Sequence, residues 1–254
     1  MTSARCRDLC LDQPLLGSAS LSHRLVLVDQ PRPWPAKIQK SLSLSPQWQA
    51  RLDRWRVDQV PFTLLARHSE EGQIQCFGWE QGQVSGAPAG ETLLVCTHGS
   101  RDACCGWLGV RLAGALRQAG HQRVWEVSHI GGHRFAPTLW HLPEWRVYGR
   151  VNLENPSLDL QTLRGNAAYS PRLQVMEAYL FQQRGVWPDW LEETPAGCRA
   201  HWAGSEAEFW AFEMESTVHS GPLSCRDIPE GKLEPYTSWR VRSGRANNEQ
   251  LSTP

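Results

Sequence analysis

Two short stretches carry residue types and spacings able to do metal or redox chemistry. In Val95-Cys96-Thr97-His98-Gly99-Ser100-Arg101-Asp102-Ala103-Cys104-Cys105-Gly106, two cysteines, Cys96 and Cys105, are separated by eight residues. In Val127-Ser128-His129-Ile130-Gly131-Gly132-His133, two histidines are separated by three residues. Thiolates are soft ligands and imidazoles borderline ones, so the set suits a soft or borderline metal. The reading adopted is a 2Fe–2S cluster on Cys96, Cys105, His129 and His133. Cys104, through a seven-residue spacer, is the competing thiolate.

These residues need strands to position them. Leu93-Leu94-Val95 and Val124-Trp125-Glu126-Val127 are apolar runs that each end at a candidate loop. Between them Trp107, Leu108, Val110, Leu112 and Leu116 recur at helical spacing, and Gly120 is a stop signal. A βαβ unit follows, with both loops leaving strand ends on the same side, where α/β sheets carry their sites. The expected helix spans 106–119.

The rest of the chain is read around that unit. Residues 1–88 form an N-terminal α+β portion. It contains a buried strand over Arg24 to Val28 and a helix over 46–57, with Ser45 as N-cap and Pro46 at N1. Strands at Phe62 to Ala66 and Ile74 to Trp79 read as a hairpin turning at Glu71-Gly72. The Gly- and Pro-containing stretch 81–90 is the expected boundary. Residues 89–190 form the core domain, with a strand at 145–151, a short helix from 155 to 163 and a helix opening at Ser170-Pro171. Residues 191–240 form a β extension with strands at 198–202 and 209–214. Residues 241–254 read as a disordered tail.

Composition narrows the function classes. The 254 residues hold 26 Lys+Arg and 26 Asp+Glu, so no net field draws the chain to nucleic acid or to an anionic membrane. No run of about 18 apolar residues is present, so no membrane span is expected. The N-terminus does not read as a signal peptide, because Asp8, Asp12 and Gln13 interrupt it. Eight cysteines in such a chain read as reduced thiols in a cytoplasmic protein, not as a disulfide scaffold. The thirteen tryptophans read as packing.

Charge counting separates this ligand set from an all-cysteine one. Two ferric ions and two sulfides sum to a charge of about +2, so two thiolates leave the oxidised centre neutral where four would leave a dianion. A neutral centre accepts an electron more readily, as in Rieske centres. The outer imidazole nitrogens can also titrate, so electron transfer is expected to be proton-coupled. Gly99 and Gly131-Gly132 supply the bends the loops need.

The spacing C-x8-C followed by H-x-G-G-H resembles the sucrase/ferredoxin-like family. The likeness extends to Pro14-Leu15-Leu16-Gly17-Ser18-Ala19, His98-Gly99-Ser100-Arg101-Asp102, Arg134-Phe135-Ala136-Pro137 and Tyr148-Gly149-Arg150-Val151. At Pro33-Trp34-Pro35-Ala36 the chain departs from the family, where Gly follows Pro-Trp. The resemblance implies an α/β fold with a thioredoxin-like ferredoxin core and a 2Fe–2S centre on two cysteines and two histidines. It also favours Cys105 over Cys104. It implies an electron carrier with a redox partner protein, a reductase or an acceptor, rather than a dedicated enzyme.

Three other readings compete. A structural zinc site suits H-x3-H and a Cys2His2 set. A thiol enzyme would use Cys96 near a helix N-terminus, but there is no CxxC, and the Cys96 to Arg101 spacer is one residue short of a low-molecular-weight phosphatase loop. A sugar hydrolase would need paired carboxylates; Glu177, Glu192 and Glu193 show no such arrangement. Elsewhere, Cys6-x3-Cys10 reads as a weak half-site, Cys76, Cys198 and Cys225 as structural thiols, Arg101 and Asp102 as an ion pair, and His98 as a supporting group.

Overall fold

A computed structural model describes residues 5–86 and 90–247. The first apolar run is strand β1 (Arg24–Asp29), with Leu25 to Val28 buried in succession. A strand buried on both faces needs partners on both edges, and β1 has them. Helix α1 (Pro46–Val57), capped by Ser45 Oγ accepting from the Trp48 amide, returns the chain to β2 (Phe62–Arg67). Strand β2 lies parallel to β1, with Arg24 opposite Phe62. Strand β3 (Ile74–Glu80) pairs antiparallel with the other edge of β1 and then turns into β4 (Gln83–Ser85). The expected β2–β3 hairpin is therefore incorrect. A direct hairpin would leave the apolar β1 without one of its partners, and the link 68–73 instead crosses the end of β1.

The second set of elements repeats this plan. Strand β5 (Thr92–Cys96), helix α2 (Ala103–Gln118) and strand β6 (Val124–Val127) form the expected parallel βαβ unit. Strand β7 (Thr138–Leu142) pairs antiparallel with β5, followed by β8 (Arg146–Gly149) and β9 (Leu163–Asn166). Among the described residues one mixed sheet results, in the order β4-β3-β1-β2-β6-β5-β7-β8-β9. In each half the first four strands run second, first, third, fourth. Strands on both sides of residue 88 thus share one sheet. The halves meet where β2 and β6 pair antiparallel at a single position, Arg67 opposite Val127. Both are the last residues of their strands, so the carboxyl ends of both parallel pairs converge on this seam.

Helix α3 (Pro171–Arg184), capped by Ser170 and ended at Gly185, leads into a four-stranded antiparallel sheet. Its strands are β10 (Trp190–Thr194), β11 (Gly197–His201), β12 (Glu208–Gly221) and β13 (Glu234–Asn247). Residues 241–247, expected to be part of a disordered tail, are the second half of β13. Their polarity suits an edge strand of that sheet, and the Gly244 amide donates to the Tyr179 hydroxyl at 3.2 Å. Residues 248–254 lie outside the described residues. The expected helix at 155–163 is also corrected: Asp159 and Thr162 build a local turn, and Leu163 enters β9. Helix α2 starts three residues earlier than expected, because Asp102 caps it. None of the described helices is long and apolar enough to cross a membrane.

Candidate metal centre

Cys96 is the last residue of β5 and Cys105 lies in the first turn of α2; both are fully buried. His129 follows β6, and His133 opens the next short helical turn. The four residues are brought together. His129 Nδ1 lies 3.8 Å from Cys96 Sγ and 3.8 Å from Cys105 Sγ. His129 Nε2 lies 2.9 Å from His133 Nδ1, with the two rings 4.5 Å apart. The donors form a row: two sulfurs, then His129, then His133.

Two glycines make the approach possible. Gly109 faces the carbonyl of Cys96, and a Cβ there would collide with that oxygen, so α2 can lie this close to β5 only with glycine. Gly132 has φ +70° and sits over the Arg164 guanidinium, where a Cβ would also clash. Gly99, expected to supply a bend, has no left-handed φ; it lies against Gly106.

The two thiols share their protons unequally. The Cys105 hydrogen bond holds Cys96 well below the ordinary thiol range, against the effect of burial and with further help from His129. The same bond, with burial, pushes Cys105 well up. Burial lowers His133 to about 4, and His129 beside it acts in the same direction. His133 is thus a neutral imidazole at neutral pH, as a ligand must be.

The surrounding shell was only partly visible in the sequence. His98, read as a supporting group, is buried; its Nδ1 accepts from the His129 amide at 3.2 Å and its Nε2 lies 3.1 Å from the Pro35 carbonyl. Those partners select the neutral Nε2–H tautomer, and burial lowers its pKa in agreement. The Pro33-Trp34-Pro35 segment therefore braces the cysteine loop: Trp34 packs edge-on against His98, and Ser100 Oγ donates to the Trp34 carbonyl. Arg32 bonds Thr97 Oγ1 at 2.8 Å and pairs with Glu126. Arg164 was missed. It is 1% exposed, donates to the Gly131 carbonyl at 3.0 Å, and is lowered to about 9 by burial and by Arg134, so it remains a cation at neutral pH. Its only sequence signal was a position before Gly165, which reads as a helix stop.

Asp102 does not make the expected ion pair with Arg101. Its Oδ1 accepts from the Cys104 amide at 2.9 Å and its Oδ2 from the Cys225 amide at 2.8 Å. Cys104 points away from Cys96, toward Cys6 and Cys225. The Cys6-x3-Cys10 pair is split: Cys6 joins Cys104, whereas Cys10 Sγ faces the Pro222 carbonyl. Cys198 lies in β11, apart from Cys225.

The donor set fits a soft or borderline metal. A tetrahedral ion with sulfur at about 2.3 Å and nitrogen at about 2.0 Å would place adjacent donor atoms roughly 3.5 Å apart. The 3.8 Å spacings around His129 Nδ1 lie close to that.

Comparison with known proteins agrees with the motif. The profile of the Sucrase/ferredoxin-like family matches residues 37–161, a span that contains all four donors. A curated relative, Altered inheritance of mitochondria protein 32 of Meyerozyma guilliermondii, is 35% identical over 71 residues, covering 24% of this chain and 25% of that protein. This chain therefore covers about a quarter of the length of that relative. No solved structure matches. The stretch 37–161, which holds both motifs, is thus similar to the sucrase/ferredoxin-like family.

Proposed function

We propose that this protein is a one-electron carrier with a 2Fe–2S centre on Cys96, Cys105, His129 and His133, set in a thioredoxin-like ferredoxin lobe. The observation that carries the reading is the row of donors: two buried sulfurs at one end and two imidazoles at the other. That order favours the cysteines on one iron and the histidines on the other. The group, when bound, would take up and release one electron. Buried thiols keep water and oxidants from the sulfur end, while Arg164 holds positive charge beneath the loop that carries His133. The outer nitrogens of His129 and His133 are the places where an accompanying proton would be held. The donor and acceptor would be a redox partner protein in a reducing, cytoplasmic setting, in keeping with eight unpaired thiols.

A zinc site is the second reading, favoured by the compact grouping of Cys96, Cys105 and His129. A thiol enzyme has less support, because Cys96 presents no surface to a substrate.

The test is anaerobic purification followed by absorption spectroscopy, iron and sulfide analysis, and voltammetry. Two irons, two sulfides and a red-brown chromophore per chain are expected. Between the oxidised and reduced imidazole pKa values the potential should fall by about 59 mV per pH unit, the one-electron, one-proton slope. A colourless protein that keeps zinc at these residues after iron and sulfide reconstitution would sink the reading.

A further inference from the structure

A second group of thiols sits on the other side of the first turn of α2. Cys104 Sγ lies 3.3 Å from Cys225 Sγ and 3.9 Å from Cys6 Sγ, and Cys225 Sγ lies 3.5 Å from Cys6 Sγ. Asp102 Oδ2 completes the group, 3.9 Å from Cys6 Sγ. The four donor atoms all lie within 4.8 Å of one another. They come from distant parts of the chain: the N-terminal segment, the cap and first turn of α2, and the loop between β12 and β13. Cys6 and Cys225 lie outside the span 37–161 that matches the family.

We propose that Cys6, Cys104, Cys225 and Asp102 bind one zinc ion, a site separate from the Cys96–His133 centre. Tetrahedral zinc with sulfur at about 2.3 Å sets ligand sulfurs about 3.8 Å apart. The three observed separations bracket that value. A four-iron cluster would spread its sulfurs around the corners of a cube, and this group is too tight for one. Three thiols are also an odd number. A disulfide between any two would leave the third beside a carboxylate that is 2% exposed.

The surroundings are arranged as a metal site needs. The backbone amides of Arg7 and Cys6 are directed at the sulfurs of Cys104 and Cys225. The Cys104 and Cys225 amides fix both carboxylate oxygens of Asp102. Such outer contacts orient ligands and steady their negative charge. With the ion bound, the N-terminal segment and the β12–β13 loop are tied to the helix turn that carries Cys105. Adjacent residues, Cys104 and Cys105, then serve two different sites.

The test uses the full chain with zinc. Zinc analysis and zinc-edge X-ray absorption should find one ion with three sulfurs and one oxygen. Cys6→Ser/Cys225→Ser should lose that zinc, and Cys96→Ser/Cys105→Ser should keep it. A second readout needs no variant: in the wild-type protein, maleimide labelling of Cys6, Cys104 and Cys225 should be slow with zinc and speed up together by at least tenfold after chelation. Zinc lost with Cys96 and Cys105 but unaffected by Cys6 and Cys225 would overturn the proposal. So would a two-sulfur, two-nitrogen spectrum as the sole zinc signal, labelling of Cys225 that ignores chelation, or a Cys104–Cys225 disulfide found by mass spectrometry. Failure of iron binding at Cys96 would leave these readouts unchanged, so the two sites are judged separately.

Discussion

The two halves of the large sheet share one strand order and differ in what they place at the carboxyl ends of their parallel strands. In the second half, β5 ends at Cys96 and the chain beyond β6 supplies His129. In the first half, β1 ends at Asp29 and β2 at Arg67, and these form a bidentate pair with distances of 2.6 and 2.7 Å. Both side chains are nearly fully buried, at 1% exposure for Asp29 and 8% for Arg67. Burial alone would raise the Asp29 carboxyl; the Arg67 guanidinium, the Gln73 amide and Ser69 together outweigh it and hold the pKa below its usual range. The same frame thus closes one strand-end crevice with an internal ion pair and leaves the other lined with thiol and imidazole donors. The loop after β1 in the first half does not line a site of its own. It reaches over the seam, through Arg32, Trp34 and Pro35, to brace the loop of the second half.

The comparison breaks most sharply at the thiols. Cys96→Ser or Cys105→Ser should abolish the iron chromophore, whereas Cys104→Ser should retain it. If Cys104→Ser loses it and Cys105→Ser does not, the assignment of the two adjacent cysteines is reversed.

The first half should respond in stability alone. Arg67→Met leaves the Asp29 carboxylate buried and unpaired, which costs about 3–5 kcal/mol. The double variant Asp29→Leu/Arg67→Met should recover much of that. Urea midpoints and chromophore content of the folded fraction check both. A change of metal content in folded Arg67→Met protein would mean that the halves do not divide structure and site in this way.

A smaller effect is expected from acid. His133 is lowered to about 4 in the folded metal-free protein, against 6.5 for the ordinary imidazole. The unfolded chain therefore binds the proton first as pH falls. Stability is full above about 6.5 and declines toward 4, by roughly 3 kcal/mol over the window. His133→Gln should flatten that part of the urea-midpoint profile. An equally steep profile in the variant would assign the loss to other groups.

Much of the second half could be read from its residues. The apolar runs before Cys96 and His129, with a helical pattern between them, specify a βαβ unit by local sequence alone. The N-cap of α1 was equally legible, because Ser45-Pro46 is a short-range signal. The repeat of strand order was not, since the halves share no motif: Asp29 and Arg67 occupy the strand ends where the second half has Cys96 and Val127. The pairing of β1 between β2 and β3 depends on which edges need partners, a property of the sheet as a whole. Asp102 illustrates the same limit. Beside Arg101 it resembles an ion pair, yet its partners are the amides of Cys104 and Cys225, the latter more than a hundred residues away in sequence. The strand at 241–247 is polar and looks like tail until its ladder with β12 is seen.

The burial of the donors is uneven, and that sets a direction. Both sulfurs are sealed, His133 is 8% exposed, and His129 is half-buried. The centre is insulated on every side but one. If the site works as the proposed electron carrier, exchange with a partner would pass by way of the imidazole edge, where His129 is the most exposed of the four residues. A partner settling on that face would also strip water from the same ring and lower the local dielectric. Docking and the energetics of the buried centre would then be coupled without any movement of the fold.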